Sequence, residues 1–76
     1  MRNSFPSRDA VMRVKREYPK GTRVELVSME DPYTRIQPGT QGTVRCVDDI
    51  GTVFVDWDTG SGLGAAYGVD VIRKVV

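Results

Sequence analysis

Between Pro19 and Val75 the chain reads as short apolar runs parted by glycine, proline and aspartate turns: PKGTRVELVS, PGTQGTVRCVDD, GTVFVDWDTGS and GVDVIRKV. Four or five strands at that spacing, with turn chemistry between them, specify a small all-β barrel. The side chains of such a barrel fill its interior and leave little room for chemistry there. Function then belongs on the loops and the outer face. With 76 residues the chain holds one domain and a modest core. Closing the sheet would remove its exposed edges.

The order of signals divides the chain into a loose N-terminus (1–6), an amphipathic helix (7–18) and the barrel (19–76). Ser7 is a helix cap, and Asp9 suits the positive end of the helix dipole. Val11, Val14 and Tyr18 form one stripe, with Met12 beside it, and Pro19 ends the helix. This helix is expected to cover one mouth of the barrel.

The first strand is expected over Thr22–Ser28, with Val24 and Leu26 on one face. The segment MEDPYTRIQPGTQ, with two prolines and Gly39, reads as a long loop. Gly42–Val47 is the second strand, and Asp48 to Gly51 the turn after it. In Thr52–Trp57, Val53, Val55 and Trp57 alternate with Thr52, Phe54 and Asp56. A weak fourth strand lies in SGLGAAYG, and Val71–Val75 closes the sheet. A long first loop, a central hairpin and a short last strand are the plan of an SH3-like barrel of about five strands. Cys46, alternate to Val44, is expected to be a buried small apolar residue.

Composition argues against an enzyme. There is no histidine, and the single cysteine allows neither an intrachain disulfide nor a cysteine-based metal site. Asp58-Thr59-Gly60-Ser61 spells an aspartic-protease signature, but that chemistry needs two such aspartates, and here the tetrad reads as a turn. Gly60 to Ala65 has the spacing of a dinucleotide fingerprint, yet a strand-like segment follows where a helix is required. Asp48-Asp49 and Asp56/Asp58 do not follow a calcium-loop pattern and read as turn carboxylates. No cofactor and no metal are expected. No apolar leader and no membrane-length run are visible, and a lone thiol fits the cytoplasm.

Two candidate surfaces remain. The first is an aromatic cleft: Asp31, Pro32, Tyr33 and Thr34 of the long loop beside Trp57 and Asp58 of the hairpin, with Tyr67 and Arg73 nearby. Tyr33 would be a platform for a protein or peptide partner, and Arg73 would pair with Asp31 or Asp58. Against this, alternation puts Trp57 on the face of Val53 and Val55, which is a core position. The second surface is the basic arm. Met1–Val24 carries seven basic residues against two acidic ones, while the remainder is net acidic. Arg8, Arg13, Lys15 and Arg16 would contact phosphates of a nucleic acid, unless they only keep the helix solvated. Sequestration of a small nucleotide, in a pocket between subunits lined by the glycine-rich loop, is a third reading. A monomer and a homodimer are both compatible with these readings.

Tyr18 to Val75, through PKGTRVELV, DPYT, PGTQGTV, VDDIGTVFVDWD and GVD, resembles the bacterial domain-of-unknown-function family 4314. The resemblance implies a small SH3-like barrel, often encoded on phage and conjugative elements, with no assigned activity to carry over. The strand GTVFVDWDTGS is also similar to the barrel hairpins of KOW modules and of mind-bomb-type domains. The acidic barrel departs from the RNA-binding members of that group.

Overall fold

The structure, a computed structural model, describes residues 6–30 and 36–75. The expectations placed on 1–5 and on Asp31, Pro32, Tyr33 and Thr34 lie outside the described residues. Helix α1 spans Arg8–Glu17, and five strands follow: β1 Arg23–Ser28, β2 Gln41–Val47, β3 Val53–Trp57, β4 Gly64–Ala65 and β5 Val71–Lys74. The strands form one antiparallel sheet in the order β4-β3-β2-β1-β5.

The helix begins and ends as its chemistry dictates. Ser7 is extended, and its hydroxyl accepts from the Ala10 N–H at 3.1 Å. Tyr18 caps the other end, its N–H donating to the Val14 carbonyl at 2.9 Å, ahead of Pro19. Ala10 and Val11 are buried, and Val14 and Tyr18 pack against the sheet's core. That core is Val24, Leu26, Ile36, Val44, Val53, Val55 and Trp57. The strand alternation therefore runs as the sequence indicates in β1 and β3. Ile36, in the segment read as loop, also joins the core.

Cys46 departs from expectation: it is exposed. The β2–β3 register steps two residues along β2, from Val44 to Cys46, but one along β3, from Val55 to Phe54. This bulge turns Arg45 and Cys46 outward together, opposite the outer-face Phe54. A period-two pattern cannot anticipate the slip.

The turn after β2 is built from Asp48. Its carboxylate accepts from the Ile50 and Thr52 N–H groups at 3.1 and 2.9 Å, and Gly51 takes φ +83°.

The sheet is also not closed. Among the described residues no ladder joins β4 to β5, so both are edges. The reason is local. β4 stops after two residues because the Val69 and Asp70 N–H groups fold back onto the Ala66 carbonyl at 3.2 and 3.0 Å. That turn spends the chain that a longer β4 would need to reach β5.

Candidate functional site

The open seam between β4 and β5 contains a groove of about 330 Å³. Val53, Ala65 and Ile72 line it from the sheet, Val14 and Tyr18 from the helix, and Tyr67 from the turn. Tyr67 and Val71 at the groove, and neighbouring Val69, are exposed large apolar side chains among the described residues. Tyr67 lies against the bare backbone of Gly51, where an added Cβ would come within 3.3 Å of the tyrosine's own Cβ.

Three polar contacts hold the walls. Lys15 Nζ bonds Asp49 at 3.1 Å and ties the helix to the β2–β3 turn. Lys74 Nζ stands 5.5 Å from the centre of the Tyr18 ring, a cation–π distance. Asp70 spends both carboxylate oxygens on backbone, accepting from Glu30 N–H and from Ala66 N–H, each at 2.9 Å. It thereby pins the Tyr67 turn to the end of the first strand's extension. Burial, with a smaller contribution from neighbouring Glu17, raises the Tyr18 phenol above its ordinary pKa. It is a neutral O–H donor at physiological pH.

The seam also presents free backbone. Val75 N–H donates to the Arg23 carbonyl at 2.9 Å, and Glu25 pairs with Arg73. In an antiparallel ladder the groups facing a neighbour alternate. The N–H and C=O of Arg73 and Val75 therefore face β1, while those of Ile72 and Lys74 point away from β1, to the open edge of the sheet. The opposite side of β1 agrees: Leu26 N–H and C=O bond Thr40 and Gly39, towards β2.

The described residues among those singled out in the sequence do not come together. Trp57 is 2% exposed, and its indole N–H donates to the Leu63 carbonyl at 2.8 Å. It is core, as its alternation with Val53 and Val55 indicates, and offers no stacking face. Asp58 accepts two bonds from the Arg23 guanidinium, at 2.9 and 2.6 Å. Those bonds hold its carboxyl below the ordinary range and raise Arg23 in turn. Asp56 is likewise lowered by its hydrogen bond from Arg45. Arg73 bonds Glu25, at 3.2 Å to each oxygen, and not Asp58. Among the described residues of the expected cleft, Tyr67 alone lines the groove. Asp58 follows the far end of β3.

The groove's other walls, Val14, Tyr18 and Ile72, read in the sequence simply as core. The cue available in the sequence was the run AAYGVDVI, too apolar for a turn and too broken for a strand. The glycine-rich stretch 60–64 does not line the groove. Gly64 packs on Phe54, where a Cβ would approach the ring to 3.1 Å, and Gly62 faces Arg45.

On the helix, Arg8, Arg13 and Arg16 are exposed, and among the described residues none has an ion-pair partner. Lys15 is half-buried and engaged with Asp49. No group of three or more metal-ligating side chains occurs among the described residues, and none of their helices is long and apolar enough to cross a membrane.

These features define a small, mainly β domain whose open five-stranded sheet is covered at one end by a helix. The chain belongs to the family described as Domain of unknown function (DUF4314), whose profile matches residues 7–75. The match runs from the helix cap to the end of the last strand, so the helix is part of the domain. No curated protein and no solved structure matches the chain significantly.

Proposed function

We propose that this protein is a non-enzymatic binding module that receives an extended protein segment at the β4–β5 seam, as a strand added to β5. The observation that supports this is the coincidence of two features in one place. The outward N–H and C=O groups of Ile72 and Lys74 lie beside an apolar groove carrying the exposed Tyr67. Strand addition draws its affinity from such main-chain bonds and its specificity from the adjoining pocket.

The test is selection of peptides from a random displayed library on the wild-type protein, followed by affinity measurements on two variants. Lys74→Pro deletes the outward N–H without removing a β1–β5 ladder bond, and Lys74→Ala keeps that N–H. Binding lost in Lys74→Pro and kept in Lys74→Ala is expected. Equal affinity of the two variants would overturn the reading.

The unpaired arginines of the helix favour a second reading, contact with nucleic acid through Arg8, Arg13 and Arg16. It requires binding to mixed DNA or RNA that weakens steeply with added salt and is lost when these three are replaced. A cytoplasmic role on a phage or conjugative element fits either reading.

A further inference from the structure

We infer that the segment received at the seam is acidic, and that it carries its carboxylate two residues from an apolar anchor. The inference rests on the strand-addition reading and specifies its ligand. Its basis is the inventory of charges around β5. Asp70 has both oxygens engaged by backbone N–H groups. Arg73 is committed to Glu25, and Lys15 to Asp49. Lys74 alone among the cations flanking the groove has no carboxylate partner among the described residues. Its ammonium is held over Tyr18, at the groove's helical wall.

Geometry then sets the spacing. Ile72 and Lys74 lie on one face of β5, two residues apart. On an added strand the residues opposite them are also two apart and share that face. The residue opposite Ile72 enters the apolar groove between Tyr67 and Val14, and the residue opposite Lys74 meets the ammonium. An antiparallel segment therefore reads acidic-x-apolar, and a parallel one apolar-x-acidic. The intervening side chain points away from the groove, to the face of Arg73. The same charges disfavour a second copy of this chain as the added strand. Antiparallel pairing of two β5 strands about Arg73 would set Arg73 opposite its own equivalent, a like-charge pair.

The experiment uses synthetic nonapeptides of extended, β-branched sequence with a fixed Leu and, two residues before or after it, Glu, Gln or Lys. Their affinities are measured for the wild type and for Lys74→Glu, Lys74→Ala and Lys74→Pro. In one of the two orders, the Glu peptide should bind the wild type about two- to five-fold more tightly than its Gln counterpart, the scale of an exposed ion pair. Lys74→Ala should erase that difference, and Lys74→Glu should turn the preference to the Lys peptide. Equal binding of Glu and Gln peptides, with Lys74→Pro still abolishing binding, would overturn the acidic specificity while leaving strand addition standing. Binding unaffected by Lys74→Pro, or no binding of any peptide to the wild type, would overturn both.

Discussion

Gly42→Ala is the sharpest test of the packing that holds this sheet in its curl. Gly42 sits on central strand β2, between Val24 on β1 and Trp57 on β3, and its absent side chain would point inward. A Cβ there would lie 2.5 Å from Val55 Cγ1, 2.8 Å from the Asp56 carbonyl oxygen and 3.0 Å from Trp57 Cα. Two of those three neighbours are backbone and cannot change rotamer, so relief requires β3 to move away from β2. Overpacking of a tight core costs about 1–3 kcal/mol, and the backbone contacts place this case at about 3 kcal/mol. A domain of this length has a total stability on the order of 4–11 kcal/mol. The substitution thus removes about a quarter or more of it. With a urea m-value of about 1 kcal/mol/M, the midpoint should fall by about 3 M. Gly39→Ala is the control. Gly39 has φ +95° and nothing within 4 Å of a Cβ, so only conformational strain of about 1 kcal/mol is expected. A Gly42→Ala midpoint no lower than that of Gly39→Ala would refute the packing argument.

Other expectations follow from single contacts. Trp57→Phe keeps an aromatic ring but orphans the Leu63 carbonyl and loses volume, and should cost about 1–3 kcal/mol in thermal or urea unfolding. Asp58 has a carboxyl lowered by its bonds from Arg23, so its stabilising contribution is present at neutral pH. It is lost as pH falls below about 4, through the unfolded and then the folded pKa. The stability difference between wild type and Asp58→Asn should therefore shrink in acid, as read from unfolding midpoints across pH. Cys46 should react with a disulfide reagent in the folded protein at a rate near that of the unfolded chain, because the bulge exposes it. Asp70→Ala should speed amide exchange at Glu30 and Ala66, whose N–H groups lose their acceptors.

The parts of this molecule legible in its sequence are those governed by local chemistry. Ser7 and Pro19 bracket the helix because a cap and a breaker act on their own neighbours. Val24, Leu26, Val53, Val55 and Trp57 face inward because alternation is a property of each strand alone. The turn at Asp48–Gly51 follows from a carboxylate that reaches its own backbone and a glycine free to take positive φ. What the sequence hides depends on how strands meet. The bulge that exposes Cys46 exists only in the register between β2 and β3. Ile36 enters the core although prolines and glycine surround it, a placement set by packing against the strands and not by its neighbours in the chain. The seam is open because the Ala66–Asp70 turn consumes residues that a closed barrel would have placed in β4. The groove is a product of that failure to close, so no motif could announce it. Tyr67, in the sequence a polar contributor to a cleft around Trp57, lines a groove at the Val53 end of β3, away from Trp57.

The claim that β5 is an acceptor for an added strand is tested most directly by amide spectra of the isotope-labelled protein, titrated with a peptide selected on it. The account predicts that the Ile72 and Lys74 N–H signals shift most and become protected from exchange, with Tyr67 and Tyr18 ring signals moving alongside. Shifts confined to Arg8, Arg13 and Arg16, or Ile72 and Lys74 amides that stay unprotected in the saturated complex, would contradict it.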